Sequence, residues 1–550
     1  MKKLITLFVM ATAAWGAAAQ TWQDAFLFSE NVYSGTARTV GMGNAVTAIG
    51  GDPGSLVFNP AGSAVASYSQ FSITPGVTFS AASATGTILP GDTRPIGFAD
   101  QYQTGYARAK LPNVSFVTTY ETGRRHGIKR YSLGFSYNAT NNYTHRFNAA
   151  GVNLDNSYAA SLASSADGFA KDVLGAEDWY YYGDASRMPA WVDMVGYRSG
   201  MINSVDGMDG AYIALTESMD GQGNFRLAAP VFQQYGRQST GYKSDFVVNF
   251  GANVSDVFYF GVNLGVINLK YNQVQYWQES PESEDEFPTI GYSDGTTARF
   301  SNLLMQQNYR ANGTGLYLKA GVLWRPTASL RLAAAVQTPA TVRITERYGY
   351  KGQVTLSGKA SPSASSPEDE WSYQIRMPLR VNAGLAYSVG NAAVLSADYE
   401  FVNYGASRYA TLSSGDDSFV ETSFSGVNAD ISANLGGTHM LRVGAEVKPH
   451  PAVAIRAGYN LTTGAEKEFA SLLRHAFSLG AGWSSSGSFY LDAAVRLRTV
   501  PAEYLIPYYY YVATDPNRYY EKYIREDVIT PEIEVKSMFV DALLTLGWRF

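Results

Sequence analysis

The sequence predicts an all-β protein, a 14-stranded antiparallel transmembrane β-barrel plugged by an N-terminal hatch. Three observations predict this fold: an export signal at the N-terminus, a two-residue alternation of apolar and polar side chains after about residue 70, and connections that are alternately short and long. Alternation with period two indicates a β-strand with one apolar and one polar face. Short turns at one end and long loops at the other are typical of outer-membrane barrels.

The first 19 residues predict a secretory signal peptide. Lys2 and Lys3 are positively charged, residues 4–14 are apolar, and three alanines precede Gln20, so cleavage is expected after Ala19. The chain is then divided into a signal peptide (1–19), a hatch (20–66) and a barrel with long extracellular loops (67–550). Because the chain has no cysteine, no disulfide bond stabilises the exported protein.

The composition excludes several other classes of protein. The 53 glycines and 39 tyrosines together outnumber the 42 basic and 47 acidic side chains, and only 16% of residues are charged, against about 25% in an average soluble domain. An aromatic content of 14% excludes a disordered chain. A net charge of -5 without basic clusters excludes a nucleic-acid binder. After the N-terminus there are no apolar runs long enough for membrane helices.

Alternation is clearest near the C-terminus, in residues 488–498. Residues 378–388, 392–402 and 440–448 alternate in the same way. In the first of these segments one face is apolar and the other is polar or charged: Phe489, Leu491, Ala493, Val495 and Leu497 against Tyr490, Asp492, Arg496 and Arg498. A soluble β-sandwich also alternates, so this pattern predicts strands without placing them in a membrane.

The connections between strands supply the stronger indication. The pattern predicts fourteen strands, at about residues 70–82, 108–121, 128–146, 236–253, 257–275, 302–324, 329–347, 370–388, 391–410, 437–448, 452–464, 474–485, 487–499 and 536–550. Every second connection is a short turn, and those between are long loops, of which 147–235 is the longest. An even number of strands places both termini on the short-turn, periplasmic side of the outer membrane of a Gram-negative cell.

Aromatic residues at the strand ends favour the same interpretation. Many lie on the apolar face next to the short turns: Phe71, Tyr120, Tyr131, Phe250, Phe258, Trp324, Tyr387, Trp483, Phe489 and Trp548. Aromatic rings prefer the boundary between lipid and water, so this set predicts a girdle at the membrane interface. The last strand alternates up to a terminal Phe550, which resembles the C-terminal insertion signal of outer-membrane barrels.

Residues 20–66 differ from the strands, and residues 34–66 within them carry a family resemblance. They contain a small-residue block from Ala37 to Ala45, a Gly-Gly-Asp turn at residues 50–52 and a Phe-Asn-Pro-Ala-Gly block at residues 58–62. Small residues and turn formers suit a compact plug whose backbone approaches the barrel wall. The stretch resembles the hatch of the FadL-type family of outer-membrane transporters for long-chain fatty acids and other hydrophobic compounds. The resemblance implies hatch positions at Gly41, Gly43, Asn59, Pro60 and Ala61.

The resemblance also implies a function. It implies passive, TonB-independent uptake of a hydrophobic, fatty-acid-like small molecule, with lateral release into the membrane through a gap at a kinked strand near the hatch. The third strand breaks its alternation at Asn138–Asn142, which marks either such a gap or an extension above the membrane. The expected partners are the ligand, outer-membrane lipid and lipopolysaccharide, with no nucleic acid, and we expect a monomer. The alternative is a non-transporting barrel of the same family that docks secreted or surface proteins.

Candidate ligand-binding residues fall in two groups. In the lumen, an arginine could hold a substrate carboxylate, although pairing with lumen acids and the hatch is the competing interpretation; these arginines are Arg331, Arg380, Arg442, Arg456 and Arg496. In the long loops, Trp179, Tyr180 and Tyr509 belong to aromatic runs that either form an apolar landing patch or pack loop against loop.

Catalysis, metals and cofactors are not expected. The five histidines have no nucleophile or acid partner that the sequence brings to them, so we expect no enzyme and no catalytic residue. The acidic run of residues 282–286 is interpreted either as a site for a divalent cation or lipopolysaccharide or, preferably, as a solvated loop. No histidine is convincingly placed in the lumen for haem, and the sequence predicts no metal and no cofactor.

Overall fold

The computed structural model describes residues 20–87, 97–179, 188–291, 295–359, 361–412, 424–485, 488–513, 522–525 and 528–550. The predicted signal peptide lies outside the described residues. Within them, the barrel strands are β1 (Gln70–Gly86), β2 (Tyr102–Glu121), β3 (Ile128–Asn142 and His145–Asn153), β4 (Val231–Val254), β5 (Phe258–Pro281), β6 (Thr297–Trp324), β7 (Leu330–Gln337 and Ala340–Ser357), β8 (Asp369–Met377 and Arg380–Val389), β9 (Ala393–Asn403), β10 (Gly437–His450), β11 (Val453–Thr463), β12 (Leu473–Ser484), β13 (Phe489–Thr499) and β14 (Ile533–Arg549).

These strands form a closed antiparallel barrel. Each strand pairs with its neighbours in chain order, and β1 pairs with β14 from Gln70↔Arg549 to Gly86↔Ile533. Pairing of the first strand with the last removes the free edges that an open sheet would expose. The structure therefore confirms the predicted 14-stranded antiparallel barrel.

Helices lie in the hatch and in the long loops. The helices of the described chain are α1 (Trp22–Ser29), α2 (Ala37–Gly41), α3 (Tyr158–Ala166), α4 (Lys171–Leu174), α5 (Trp191–Arg198) and α6 (Ser425–Asn434), with 3-10 helices at Pro53–Val57, Pro60–Val65, Glu284–Glu286 and Tyr404–Ala406. Short strands occur at Ile202–Ser204, Tyr212–Ala214, Glu217–Met219, Phe225–Leu227, Ile290–Gly291, Ser363–Ser365, Arg408–Ala410, Glu503–Leu505, Tyr511–Ala513 and Lys522–Ile524. None of the helices in the described ranges is long and apolar enough to cross a membrane.

The two faces of the wall have the chemistry that the alternation predicts. In β14, Met538, Leu544 and Trp548 are exposed outward, whereas Asp541 and Thr545 are buried inside the barrel. Most of the predicted girdle is likewise exposed next to the short turns: Tyr120, Tyr131, Phe250, Phe258, Trp324, Tyr387, Trp483 and Trp548. An apolar outer face flanked by aromatic rings suits a bilayer.

The strands extend further toward the long loops than the alternation predicts. The fourth strand begins at Val231 rather than near residue 236, and the sixth at Thr297 rather than near residue 302. Above the apolar belt both faces of a strand meet polar surroundings, so the alternation fades while the hydrogen-bond ladder continues.

The long loops build a packed cap over one end of the barrel. Helix α3 lies in the longest loop, and its Tyr158 stacks on Trp277 of β5 with ring centroids 5.1 Å apart. Helices α3 and α5 share an apolar core with the tall ends of β5 and β6 and with Tyr508 and Tyr510. We call this end of the barrel the long-loop end and the opposite end the short-turn end.

Candidate functional site

The hatch reaches the barrel wall where the wall has glycine. A Cβ added at Gly321 of β6 would overlap the Asn59 side chain, and one added at Gly261 of β5 would overlap the backbone of Pro60 and Ala61. Any larger side chain at these wall positions would push the hatch inward. The structure thus places the predicted Asn-Pro-Ala block directly against two neighbouring strands.

The small-residue block of the hatch makes a second close contact on another part of the wall. Gly43 has φ +62°, a left-handed conformation that glycine adopts without strain, and it follows Met42, the C-cap residue of α2. A Cβ at Gly458 of β11 would overlap the Gly43 nitrogen, and one at Gly444 of β10 would overlap the Met42 carbonyl. Gly41 lies against Gly480 of β12. The two predicted hatch glycines therefore allow backbone-to-backbone packing.

Asn59 joins the two parts of the hatch to the wall. Its side-chain Nδ2 donates to the backbone carbonyls of Thr47, at 2.9 Å, and Val322, at 3.1 Å. Its Oδ1 accepts from the Ala61 N–H at 3.1 Å, which caps the 3-10 helix Pro60–Val65. Because Asn59 is completely buried, each of these bonds replaces a hydrogen bond to water that the folded hatch excludes.

Four of the candidate arginines form ion pairs with acids of other strands, and three of them lie on β8, β10 and β11. Arg380 and Arg442 both pair with Glu400, the first at 3.0 Å. Arg456 bridges Glu446 and Asp492, at 2.6 Å each. All of these side chains are at least nine-tenths buried, where an unpaired charge would be costly.

Arg380 and two other lumen arginines donate hydrogen bonds to the hatch. Arg380 donates to the Ser29 carbonyl at 2.5 Å, and Arg496 donates to the Tyr33 carbonyl at 2.7 Å while pairing with Asp541. Arg331 donates to the Ile49 carbonyl at 2.6 Å. In addition Arg38, inside the hatch, pairs with Glu446 at 2.9 Å. The binding of a substrate carboxylate by any of the five lumen arginines stays a prediction.

Above the hatch lies a buried aromatic cluster that we call the upper chamber. It is formed by tyrosines of the tall strand ends and of the 404–409 segment: Tyr271, Tyr309, Tyr373, Tyr404 and Tyr409. Helix α1 packs against it, with Phe26 5.0 Å from the Tyr404 ring and Phe28 6.1 Å from the Tyr271 ring, measured between centroids. These buried rings give the upper chamber an apolar character.

The first described residue also lies in this chamber. The Gln20 side chain donates to Glu346 of β7 at 2.5 Å, and Glu346 also accepts from the hydroxyls of Tyr309 and Tyr373 at 2.9 and 3.1 Å. Gln20 thus lies inside the barrel on the long-loop side of the hatch, although the strand count placed the mature N-terminus on the short-turn side. An even strand number fixes only the ends of the barrel wall, whereas a lumen segment can run upward from its first strand.

The wall is interrupted between β2 and β3. These strands pair from Glu121↔Arg130 up to Asn113↔Asn138, and the next link between them in the described chain is a single bridge, Asp100↔Ala150. We call the intervening break, between residues 101–112 and residues 139–149, the lateral gap. Outward-facing Phe79 of β1, which is 50% exposed, pairs with Ala107, so the gap reaches the level of the apolar belt.

The lateral gap adjoins the upper chamber. Tyr143, on the β3 side of the gap, is buried with its ring 5.2 Å from that of Tyr271 in the chamber. The Tyr143 hydroxyl contacts the Leu27 carbonyl of α1 at 3.4 Å. On the β2 side, Lys110 points into the lumen and pairs with Asp541 at 2.6 Å. The predicted irregularity at Asn138–Asn142 is thus the point where β3 leaves β2.

Below the hatch, the short-turn end holds a polar cavity of about 490 Å³. Its lining includes Arg38 and Asp52 of the hatch and Arg331, Glu446 and Arg549 of the wall. The hatch therefore separates a charged space at the short-turn end from the aromatic chamber above.

The aromatic loop residues lie in the cap. Trp179 packs edge to face with Trp191 at 5.9 Å, and the Arg198 guanidinium lies 4.6 Å over its ring. Tyr509 is half-buried, and Tyr180 lies outside the described residues. These contacts show loop-on-loop packing at Trp179, and a landing patch stays a prediction.

Within the described ranges, no group of three or more His, Asp or Glu side chains is arranged to hold a metal ion. Within the cap, burial raises the pKa of Asp193 to about 6 and that of Glu217 to about 7. Asp193 accepts from the Ser165 hydroxyl at 2.8 Å through one oxygen, and its other oxygen has no hydrogen-bond partner among the described residues.

Comparisons with known proteins give likenesses at the level of whole structures. No model of a protein family matches the chain, and no curated protein matches it. A FadL homologue from Pseudomonas aeruginosa is similar with 12% identity and a TM-score of 0.49, over 94% of this chain and 99% of the other. The P. putida toluene transporter TodX has 10% identity and a TM-score of 0.46, over 95% and 99%. The Ralstonia pickettii toluene transporter TbuX has 12% identity and a TM-score of 0.44, over 95% and 100%. These neighbours are FadL-type outer-membrane channels.

Sequence reasoning missed three features of this site. Helix α1 in the upper chamber, the acceptor Glu346 and the hatch segment at Val32–Ser34 were not predicted as site residues. For the hatch segment at Val32–Ser34 the sequence holds only an indirect signal. The proline at position 112 and the polar run of residues 138–142 interrupt β2 and β3 at the same height, where this segment binds.

Proposed function

We propose that this chain is a passive outer-membrane channel, and not an enzyme, that takes up hydrophobic small molecules and releases them sideways into the bilayer. The lateral gap between β2 and β3 carries the proposal. A barrel gains stability from a continuous hydrogen-bond ladder, and backbone left unpaired beside lipid is costly. A break of this length at the height of the apolar belt therefore has a use that outweighs its cost.

The proposed route runs from the cap to the upper chamber and out through the lateral gap. The chamber offers tyrosine rings and apolar side chains to a ligand, and Tyr143 connects it to the gap. The hatch and its ion pairs close the path toward the short-turn cavity. A hydrophobic molecule can leave through the wall into lipid, whereas the ion-paired hatch opposes the passage of a polar solute.

Two kinds of cargo fit this route. An aromatic hydrocarbon would contact only the tyrosine rings, which favour stacked or edge-to-face partners. A fatty-acid-like molecule would place its chain in the same space and bring its carboxylate past Lys110 at the lip of the gap. The proposal covers both, as hydrophobic small molecules.

The test blocks the lateral gap in reconstituted protein. Because the chain has no cysteine, the single variant Ala107→Cys can be labelled selectively with a bulky maleimide at the gap. The matched control is Val443→Cys, an outward-facing position of β10 away from the gap. Uptake of radiolabelled palmitate and of toluene into liposomes is compared with uptake of glucose.

We expect the unlabelled protein to take up palmitate, toluene or both, and not glucose. Labelling of the Ala107→Cys variant should reduce uptake at least fivefold, while labelling of the Val443→Cys variant leaves it unchanged. Absence of uptake by the unlabelled protein, together with a protein partner that co-purifies in equal amount, would overturn the proposal and support the docking alternative.

A further inference from the structure

The β2 side of the lateral gap is a free strand edge. Residues 102–110 are fully paired with β1 on one side. On the other side, within the described chain, they have no ladder partner, because β3 pairs with β2 only up to Asn138. The N–H and C=O groups of this edge are available for a further strand.

The β3 side of the gap is paired with the hatch instead. The backbone N–H of Val32 donates to the Thr140 carbonyl at 2.6 Å, and the N–H of Ser34 donates to the Ala139 carbonyl at 3.1 Å. The Asn141 side chain donates to the Glu30 carbonyl at 3.3 Å. The hatch segment Glu30–Ser34 therefore occupies the edge of β3 that β2 occupies lower in the barrel.

The two sides of the gap match in length. Below the gap Asn113 lies opposite Asn138, and above it Asp100 lies opposite Ala150. The free stretches between these pairs are residues 101–112 and residues 139–149, which differ by one residue. Continuing the lower register residue by residue places Ala107 opposite Thr144. A complete ladder across the gap therefore needs only a single-residue bulge, and Pro112 can donate no bond to it.

A hinge lies where β3 leaves β2. Thr140 is a bulge in the pairing of β3 with β4, between Ala139↔Ser244 and Asn141↔Lys243. Gly241 of β4 follows on the partner strand with φ +135°, a conformation open to glycine and strained for other residues. A bulge beside such a glycine lets the upper part of β3 change direction while its pairing with β4 continues.

We propose that the hatch and β2 compete for the same edge of β3, so that displacement of the hatch closes the lateral gap. When Val32 and Ser34 leave, the carbonyls of Ala139 and Thr140 lose their donors inside the membrane. Backbone groups there must find partners within the protein. In the continued register the free edge of β2 offers the N–H of Leu111 opposite Thr140, whereas Pro112, opposite Ala139, has no N–H to give. Opening past the hatch and opening through the wall are then mutually exclusive.

Polar side chains oppose closure and keep the two states balanced. In the open state, the Asn142 amide donates to the Thr78 hydroxyl at 2.9 Å, and the Thr144 hydroxyl donates to Asn142 at 2.7 Å. Continuing the β2–β3 register would turn both side chains toward the outer face. Closure of the gap forms a hydrogen-bond ladder between β2 and β3 but breaks these two side-chain bonds. Binding of the hatch to β3 therefore determines whether the gap is open or closed. The switch acts on the lateral path proposed above, but its own test needs no cargo.

The first experiment removes one hatch donor and measures amide hydrogen exchange in lipid nanodiscs. The variant Val32→Pro has no N–H to give to Thr140. The matched control Val32→Ala keeps the N–H and shortens the same side chain. We expect Val32→Pro to slow exchange of the amides in residues 102–111 at least tenfold, and Val32→Ala to leave them at the rate of the unaltered chain. Unchanged or faster exchange of these amides in Val32→Pro would overturn the proposal.

The second experiment closes the gap and measures the effect on the hatch, without a proline substitution. In the pair Ala107→Cys with Thr144→Cys, a disulfide traps the closed gap, and the amides of Val32 and Ser34 should then exchange at least tenfold faster. Such reciprocity is required of any coupled equilibrium. The reference pair is Ser115→Cys with Ser136→Cys, whose hydroxyls are 2.5 Å apart below the gap.

Each outcome of the disulfide experiment is decisive. Formation of the disulfide with faster exchange at Val32 and Ser34 supports the switch. Formation without faster exchange overturns it, and so does failure to form under an oxidant that fully closes the reference pair. Loss of uptake in liposomes with intact coupling would count against the transport proposal alone, and uptake without coupling would count against the switch alone.

Discussion

Asn59 of the hatch donates a hydrogen bond from its side-chain Nδ2 to the backbone carbonyl of Val322 in β6, at 3.1 Å. The same amide group binds the Thr47 carbonyl, so one buried side chain links two hatch segments to the wall. The variant Asn59→Ala leaves these carbonyls and the Ala61 N–H without their partner. We expect it to weaken seating of the hatch by about 2–4 kcal/mol, the range for losing buried hydrogen bonds.

Amide hydrogen exchange of residues 37–62 measures this effect, with rates rising 30-fold or more. The control Asn203→Ala removes an exposed asparagine of the cap and should leave the hatch unchanged. Equal exchange in Asn59→Ala and the unaltered chain would show that the hatch is held mainly by its ion pairs.

Gly458 of β11 tests the close approach of hatch and wall. A methyl group there would overlap the Gly43 nitrogen, and backbone cannot move aside as a flexible side chain can. We expect Gly458→Ala to displace the small-residue block of the hatch and to raise ion conductance in planar bilayers severalfold. Gly426→Ala is the control, because a Cβ there meets nothing within 4 Å. Unchanged ion conductance in Gly458→Ala would mean that the hatch can shift without opening a path through the barrel.

Strands and hatch could be predicted from sequence because their signals are local. The alternation in residues 488–498 needs only neighbouring residues, and structure bears it out in β13, where Asp492 and Arg496 are buried and Val495 is exposed. The Asn-Pro-Ala block is likewise a local motif, and Asn59 caps the helix that begins at Pro60.

The lateral gap and the upper chamber depend on contacts between distant segments. The run Asn138–Asn142 breaks the alternation, but nothing in it specifies that the Thr140 carbonyl binds Val32. The position of α1 depends on Tyr404 and Tyr271, far along the chain, so its sequence alone does not place it in the lumen. Long-range pairing of this kind is what a single sequence leaves open.

Asp541 of β14 balances three cations. Lys110, Arg496 and Arg498 all lie within 3.1 Å of its carboxylate, which is fully buried. Among the described residues, the variant Asp541→Asn removes the one negative charge in direct contact with them. Breaking a buried charge group of this kind costs about 3–5 kcal/mol. We expect a lower urea midpoint for unfolding. Unfolding is monitored on gels, where the folded barrel migrates differently before and after heating.

The comparison for Asp541 is an exposed ion pair of the same chemistry. Glu370 pairs with Arg347, and both side chains are about half exposed, at 49% and 52%. Glu370→Gln should lower the free energy of unfolding by less than about 1 kcal/mol, as expected for surface pairs. Similar midpoints for the two variants would show that water reaches Asp541 and screens its partners.

Asp193 of α5 makes the cap sensitive to pH. Burial raises its pKa from 3.8 to about 6, so the folded cap favours the protonated form. Stability from this group is therefore fully present below about pH 4 and is lost as the pH rises from about 4 to about 6. The loss amounts to about 3 kcal/mol for a shift of about two units.

The variant Asp193→Asn is neutral at every pH and should remove this part of the pH dependence. The measurement is the urea midpoint for local unfolding of α3 and α5 at pH 4 and pH 7. Unfolding is monitored by amide hydrogen exchange, with rates corrected for the intrinsic effect of pH. Glu217 also titrates in the cap, but it does so in both proteins, so the difference between them isolates Asp193. Asp172→Asn, an exposed position of α4, is the control and should follow the unaltered chain. If Asp193→Asn loses stability between pH 4 and 7 as steeply as the unaltered chain, the carboxylate is ionised in the folded cap and Lys522, whose charge attracts it, is its effective partner.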